Sequence, residues 1–420
     1  MSTPSPMAAS SSQPDLCVFI GRFQPPHKGH GLVIQTALDR GRYALVIPGS
    51  ANEPRTCRNP FTAADRVEMI QAMFPDEGRL FFWPLEDSNY DPAGWVQATV
   101  DAVARAWTEI RERHPDEPET PRVALIGHAK DATSYYLRLF PQWESIEVPQ
   151  EHILSATSVR HRLFGDLTLA LPRLEADDAQ KRPQGLSGAD RVAWGQQREQ
   201  DYLDWYAEHA RISAAQFLDD ETRLASAGRS DLLPGVIDVL RVFVTTDAFR
   251  QVAYEHAHVA KYAYAWRHAP YAPIFVTGDA LVLHERHVLM VRRARYPGKG
   301  LWALPGGFVE VDEPVEAAAL RELAEETEIA LSPAFLRQHI VKKEVIDAPF
   351  RSSRGRTITH AVRIDLPDGP RPATKAMPEG GDEESFELAW VDLDALQRER
   401  CFEDHYAIIR KLTRDVPARG

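Results

Sequence analysis

Residues 16–23, LCVFIGRF, form an apolar run rich in β-branched and aromatic side chains that closes on a glycine and two further residues. Such a run predicts a short strand buried on both faces. After Pro25 and Pro26, the stretch GHGLVIQTAL repeats apolar residues at helical spacing. A second buried strand is predicted over 43–47 (YALVI), closed by Pro48-Gly49-Ser50. A helix over 61–74 follows, with Thr62 as its cap. LFFWPL at 80–85 and VALIG at 123–127 read as further strands, and 93–113 as a helix between them. Strands alternating with helices predict βαβ units. The fold class over 16–165 is therefore α/β, a Rossmann-like, doubly wound parallel sheet.

From 166 to 235 the pattern turns polar and charged, with Gly/Pro punctuation at 183–188 and 228–235. Residues 190–213 predict a helix with an aromatic stripe at Trp194, Tyr202 and Trp205, and 236–267 predict two more helices. We read 166–270 as a helical insertion and linker that packs on a neighbour and carries no chemistry of its own. From Ile274 the pattern changes to strands. IFVTGDALVL and HVLMVRR flank His284-Glu285-Arg286-His287 as a hairpin, and a mixed-sheet α+β unit is expected over 271–420. Residues 1–15 are Ser/Pro-rich without an apolar core, so they read as a disordered tail and not as a signal peptide.

Composition narrows the function classes. Of 420 residues, 44% are hydrophobic and 26% charged, which excludes a wholly disordered chain. Cys17, Cys57 and Cys401 lie far apart with no CxxC spacing, so free thiols in the cytoplasm are expected and a structural zinc site is not. No apolar run approaches 18 residues, so no membrane span is expected. A formal net charge of −12 argues against nucleic acid as a partner. Phosphorylated substrates would have to be held by local arginines, helix N-termini or metal ions.

Two constellations carry chemistry. The first is Gly21-Arg22-Phe23-Gln24-Pro25-Pro26-His27-Lys28-Gly29-His30, placed where the first strand ends and a helix begins. This is the crevice of a parallel sheet where nucleotides bind. A helix N-terminus offers N–H groups and a positive dipole end to phosphate. His27 and His30 can present both imidazoles to phosphoryl oxygens, and Gly29 lets backbone approach a ligand closely.

The segment resembles the (H/T)xGH signature of the nucleotidylyltransferases, and the longer GRFQPxHxGH form is similar to that of archaeal-type nicotinamide mononucleotide (NMN) adenylyltransferases. Asn59-Pro60-Phe61-Thr62-Ala63-Ala64-Asp65-Arg66 resembles the NPFTxxxR block of that family. Leu154-Ser155-Ala156-Thr157-Ser158-Val159-Arg160 resembles its late ISxTxxR motif, with Leu154 in place of Ile, and Gly127-His128-Ala129-Lys130-Asp131 resembles a block near the nucleotide. The resemblance implies AMP transfer from ATP to NMN, giving NAD and pyrophosphate. It implies His27, His30 and Arg160 as catalytic residues. It implies Gly21, Arg22, Phe23, Lys28, Gly29, Asn59, Arg66, Gly127, His128, Asp131, Ser155 and Thr157 around ATP and NMN, with Mg²⁺ on the triphosphate.

The second constellation is GFVEVDEPVEAAALRELAEETEI, residues 307–329. Its Ala/Leu-rich run predicts a helix opening at Pro314. On that helix Glu322, Glu325 and Glu326 fall at i, i+3 and i+4, so three carboxylates project on nearly one face. Their repulsion is relieved by a divalent cation, and carboxylate oxygens suit Mg²⁺ or Mn²⁺. The segment is similar to the Nudix box GX5EX7REUXEEXGU, with Glu328 where the box has glycine, so a changed turn is expected there. The resemblance implies Glu322, Glu325 and Glu326 as catalytic metal ligands. It implies that Arg321 and Glu313 support them and that Gly306 and Gly307 lie against the site.

Arg292, Arg293, Arg295 and Lys299 precede the box and Arg351, Arg354 and Arg356 follow it. Of these, Arg292, Arg293, Arg354 and Arg356 are expected to meet the substrate diphosphate. Glu383 and Glu384 are candidates for the general base. PGKGLWALPGGF resembles Nudix domains attached to NMN adenylyltransferases, which hydrolyse ADP-ribose to AMP and ribose 5-phosphate.

Together the resemblances imply a bifunctional enzyme of NAD metabolism. Its small-molecule partners would be ATP, NMN and NAD, and ADP-ribose, and a homo-oligomer stays open. A rival reading makes the second domain a sensor of ADP-ribose or another NAD metabolite, and another gives the first domain a different phosphorylated acceptor. The intact glutamates and the absence of a basic recognition helix argue against the sensor.

Overall fold

The structure is a computed structural model that describes residues 13–128, 139–149, 155–165, 188–375 and 387–417. Lys130, Asp131, Leu154, Glu383 and Glu384 lie outside the described residues. The first unit is a five-stranded sheet ordered β3-β2-β1-β4-β5, with every pair parallel. Its strands are β1 (Leu16–Gly21), β2 (Tyr43–Pro48), β3 (Leu80–Phe82), β4 (Val123–Gly127) and β5 (Glu144–Glu147). Helices α1 (Lys28–Arg40), α2 (Ala63–Met73), α3 (Pro92–Arg113) and α4 (Ala156–Phe164) complete it.

Alternation along β1 builds both cores. Leu16, Val18 and Ile20 pack with Val103, Trp107 and Ile110 of α3. Cys17 and Phe19 pack with Val33, Ile34 and Leu38 of α1. β3 ends at Phe82, short of the predicted 85, although Trp83 N and Leu85 N on either side of Pro84 still donate to Val46 O and Pro48 O of β2. β5 was not foreseen. Its sequence ESIE is mostly exposed at the sheet edge, so it lacks the apolar signature of a buried strand.

Three helices follow: α5 (Gly188–Ser226), α6 (Pro234–Val244) and α7 (Asp247–Ala265). α5 runs beyond the 190–213 read from the sequence, as a single helix of 39 residues. The three share one apolar cluster with the first unit, in which Phe61, Met69, Leu163 and Phe164 meet Leu218, Leu240 and Phe249. Tyr206 donates to Phe164 O at 2.6 Å, and Lys28 N donates to Asp231 O at 2.9 Å. The helices therefore buttress α2, α4 and the start of α1.

The last unit is a mixed sheet ordered β10-β11-β6-β7-β12, with two short strands alongside. Its strands are β6 (Ile274–His284), β7 (His287–Arg292), β8 (Trp302–Ala303), β9 (Gly306–Phe308), β10 (Ile340–Ile346), β11 (Arg356–Leu366) and β12 (Glu387–Asp392). β6 and β7 form the predicted hairpin, and β6 pairs in parallel with β11. α8 (Val315–Thr327) crosses β6 at Gly278, where a Cβ would lie 2.9 Å from Ala319 N and Val315 O. α9 (Pro333–Gln338) and α10 (His405–Leu412) close the unit. Tyr90 of the first unit packs into the core beneath β6 and α10. Arg398, 7% exposed, donates to Glu53 and, at 2.6 Å, to Asp87 O across the junction.

Candidate active sites

The first site forms where β1 ends. His27 is the extended N-cap of α1, and its Nδ1 accepts from Gly29 N–H at 3.2 Å. His30 Nδ1 accepts from His27 N–H, also at 3.2 Å. In each neutral ring the proton therefore resides on Nε2. The ring centroids are 3.8 Å apart, and Phe23, in the left-handed region at φ +51°, packs edge-on against His30 at 4.9 Å.

One expectation changes here. Lys28 N is taken by Asp231 O, Gly29 N by His27 and Gly31 N by His27 O, so the start of α1 has few N–H groups left for phosphate. A Cβ on Gly29 would meet His27 Cε1 at 3.1 Å. That glycine thus makes room for the folded-back imidazole. Gly21 similarly leaves room for Phe23 Cζ, 2.9 Å from where its Cβ would be.

Arg160 reaches this turn from α4. It is 7% exposed, and its Nη1 donates to Gln24 O at 2.6 Å and its Nη2 to Thr157 Oγ1 at 3.1 Å. Burial, together with the nearby Arg22 and Arg58, pulls the Arg160 guanidinium down to about 10. Arg22 is lowered by burial, and Arg58 by burial and then by Arg22. Three cations gathered this closely call for an anion. Ser155 caps α4 through Ser158 N at 3.1 Å. His128 Nδ1 bonds Val148 O at 2.7 Å, at the end of β4. Asn59 Oδ1 is buried without a hydrogen-bond partner among the described residues.

Arg66 departs from the reading that placed it on a ligand. It is fully buried and donates to Thr62 O (3.0 Å), Arg22 O (2.8 Å), Gly49 O (2.5 Å) and Ser50 O (3.2 Å). Its guanidinium is spent on carbonyls of the loops that frame the site. Gln24, not singled out in the sequence, clasps Phe61 through both its N–H and its carbonyl, at 3.0 and 2.8 Å. Arg58 was also passed over, because a lone arginine before NPFT has no distinguishing pattern.

The second site is a cavity of about 330 Å³ between the second half of α8, β9 and the segment before α10. Glu322 and Glu326 line it. Glu326 Oε2 accepts from Gly306 N–H at 3.1 Å. Arg321 holds Glu313 at 2.7 Å, Glu322 at 2.9 Å and Glu325 at 2.9 Å. The bond to Glu313 leads in raising Arg321 well above its ordinary value, and the same bond leads in lowering Glu313. Glu325 is 58% exposed and does not line the cavity, although it shares Arg321 Nη1 with Glu322.

Glycine makes room for a carboxylate twice here. A Cβ on Gly307 would lie 2.3 Å from Glu322 Oε1, and one on Gly306 would lie 2.1 Å from Asp279 Oδ1. Pro314 serves as the cap of α8, one position earlier than predicted. Glu328 adopts φ +39° and ψ +38°, the left-handed conformation that favours glycine. A side chain there costs on the order of 1 kcal/mol.

The arginines divide. Arg293, Arg351 and Arg354 line the cavity. Arg354 Nε is buried with no hydrogen-bond partner among the described residues. Arg292 faces away: it sits opposite Glu387 across β7–β12 and bonds it at 2.7 Å. Arg356 donates to Asp347 O and does not line the cavity. Arg292 and Arg356, expected at the substrate, thus stand outside the cavity, and Arg351, not expected there, lines it.

The sequence reading also missed the buried acids behind the cavity. Burial pushes Asp279 up to about 7 and raises Glu403. Burial also holds His405 well below its ordinary value, and its Nδ1 accepts from Leu304 N–H at 3.0 Å. One polar residue in an apolar strand, the Asp279 of TGDALVL, was the available signal.

No group of three or more His, Cys, Asp or Glu side chains stands ready for a metal ion among the described residues. Arg321 bridges three of the carboxylates instead. The donor set nonetheless fits a divalent cation, because three glutamates share one arginine, Glu326 lies on the same helix, and every donor is a hard oxygen.

Residues 18–162 match the family profile described as cytidylyltransferase-like, and residues 274–412 match the NUDIX domain. A nicotinamide/nicotinic acid mononucleotide adenylyltransferase of Acinetobacter baylyi is 39% identical over 153 residues, which are 36% of this chain and 76% of that protein. An ADP-ribose pyrophosphatase of Methanocaldococcus jannaschii is 32% identical over 130 residues, 31% of this chain and 72% of that one. The crystal structure of a bifunctional NMN adenylyltransferase/ADP ribose pyrophosphatase from Francisella tularensis superposes with a TM-score of 0.73. It is 29% identical and covers 96% of this chain and 100% of its own.

The chain belongs to the bifunctional NMN adenylyltransferase/ADP-ribose pyrophosphatase family. A second Francisella tularensis structure, complexed with AMP and a Mn ion, superposes at 0.71 with 28% identity over 96% of this chain and 100% of its own. The adenylyltransferase half of the family corresponds to the parallel sheet with its paired imidazoles, and the pyrophosphatase half to the mixed sheet with its glutamate helix. Among the described residues no helix is long and apolar enough to cross a membrane.

Proposed function

We infer that one chain makes a pyrophosphate bridge in its first unit and cleaves one in its last. In the first reaction AMP passes from ATP to NMN: a phosphate oxygen of NMN bonds to the α-phosphorus, the bond to the β-phosphate bridge breaks, and NAD and pyrophosphate result. Both reactants are already charged, so the protein has only to align them and neutralise developing charge. His27 and His30, with their protons on Nε2, would donate to phosphoryl oxygens. Arg22, Arg58 and Arg160 would hold the triphosphate, and their mutual repulsion is relieved by it. The unpartnered Asn59 Oδ1 would accept from a ligand donor. Ser155 and Thr157 order the start of α4, where Thr157 steadies Arg160.

In the second reaction water attacks the diphosphate of ADP-ribose, giving AMP and ribose 5-phosphate. A divalent cation, Mg²⁺ or Mn²⁺, held by Glu322, Glu325 and Glu326 would supply a more acidic water and counter-charge for the diphosphate. Arg321 would release Glu322 and Glu325 and retain Glu313, its shortest partner. Arg293, Arg351 and Arg354 would bind the diphosphate oxygens. The three free thiols fit a reducing compartment, the cytoplasm.

The carrying observation is that the two linings are chemically opposed: clustered cations with imidazoles in one, clustered carboxylates beside arginines in the other. The test offers the purified chain ATP with NMN, nicotinate mononucleotide or phosphopantetheine, and separately a panel of X-diphosphate nucleosides. Pyridine dinucleotide formation and preferred ADP-ribose cleavage are expected. Reaction with a non-pyridine acceptor alone, or binding of ADP-ribose without turnover, would overturn the respective half.

A further inference from the structure

Tyr90 stands alone as an aromatic in the polar segment EDSNYDP, between β3 and α3. Nothing in the chemistry of adenylyl transfer employs it. Its ring leaves the first unit and packs against the core of the last one. Its carbonyl accepts from Arg414 Nη2 at 3.2 Å, and Lys411 Nζ lies 5.7 Å from its ring centre. Its hydroxyl donates to Asp404 Oδ2.

Asp404, 5% exposed, is the partner of Arg351, which is 3% exposed. Arg351 Nε donates to Asp404 Oδ2 at 2.9 Å and Nη2 to Oδ1 at 2.7 Å. Its Nη1 donates to Thr359 Oγ1 at 2.9 Å, and the side chain lines the hydrolytic cavity. The residue before it, Phe350, is held in the left-handed region at φ +63°, and its carbonyl accepts from Arg58 of the first site at 3.2 Å. The first unit thus grips this short segment twice, through Arg58 at the Phe350 carbonyl and through Tyr90, by way of Asp404 of the last unit, at the Arg351 guanidinium.

We propose that Tyr90, a residue of the transferase unit, is a positioning residue for the hydrolase: by bonding Asp404 it fixes the guanidinium of Arg351 in the diphosphate cavity. The proposal rests on the hydrolytic reading of that cavity. A buried carboxylate that loses one of its donors can turn, and a bidentate pair turns with it. The hydrolytic site is then incomplete without the other half of the chain.

The test is Tyr90→Phe in the full-length chain with its divalent cation, since phenylalanine preserves the ring packing and removes only the hydroxyl. KM for ADP-ribose should rise about five- to tenfold with kcat within about twofold, because Arg351 binds substrate and transition state alike. Adenylyl transfer should be unchanged. Asp404→Asn should move KM the same way, and adding Tyr90→Phe to it should add little, since both act through one pair. A purely structural Tyr90 would lower the melting temperature and leave KM alone. Wild-type KM in a folded Tyr90→Phe variant overturns the proposal and spares the hydrolytic reading. Failure of the wild-type chain to hydrolyse ADP-ribose overturns both.

Discussion

Gly307→Ala separates stability from chemistry in the hydrolytic site. An added Cβ would stand 2.3 Å from Glu322 Oε1 and 2.4 Å from its Cδ. A carbon–oxygen contact needs about 3.3 Å, so the carboxylate must retreat by about 1 Å. The obstacle is the end of a flexible side chain, so the fold can yield. What is lost is the Arg321–Glu322 pair, 25% and 17% exposed, which is worth at most about 1 kcal/mol. A 1 Å displacement at a reacting centre, however, costs about 10²-fold in rate. Hydrolysis of ADP-ribose by Gly307→Ala should therefore fall about 10²-fold, while the urea midpoint changes little and NAD synthesis is untouched. Gly278→Ala is the control. Its Cβ would meet backbone atoms of α8 at 2.9 Å, which cannot swing aside, so stability should drop by about 1–3 kcal/mol. Hydrolysis by Gly307→Ala within threefold of wild type would show that Glu322 is not at the reacting centre.

Two other outcomes follow from buried groups. Arg66→Met strands three loop carbonyls, so unfolding in urea should show a loss of about 3–5 kcal/mol; a ligand-binding Arg66 would instead raise KM at unchanged stability. Glu255 accepts from Gly298 N–H at 2.6 Å, and burial pushes its carboxyl up from 4.5 to about 7. A raised carboxyl pKa favours the fold below about 4.5, and that contribution is lost as pH rises through about 7. Glu255→Gln, which still accepts from Gly298, should flatten the fall in melting temperature over that window; an unchanged profile would refute the assignment.

Buried strands and the two motifs were legible because their residue types are dictated locally. LCVFIG and YALVIP are wholly apolar and became adjacent parallel strands. The helix carrying Glu322, Glu325 and Glu326 spans Val315–Thr327, beginning one residue after the predicted Pro314. Direction was not legible. Arg292 and Arg293 are neighbours, yet strand register opposes the first to Glu387 and turns the second into the cavity. Arg66 sits in a recognisable block, but a block gives position in sequence, not whether a guanidinium meets a ligand or four carbonyls. The Tyr90–Asp404 contact joins residues 314 apart in sequence and leaves no local trace.

The most direct measurement runs both reactions on the purified chain and on two variants, His30→Ala and Glu326→Gln. Loss of NAD formation with intact ADP-ribose cleavage in the first, and the reverse in the second, is the predicted result. Simultaneous loss of both reactions in either folded variant would contradict two separate centres within one polypeptide.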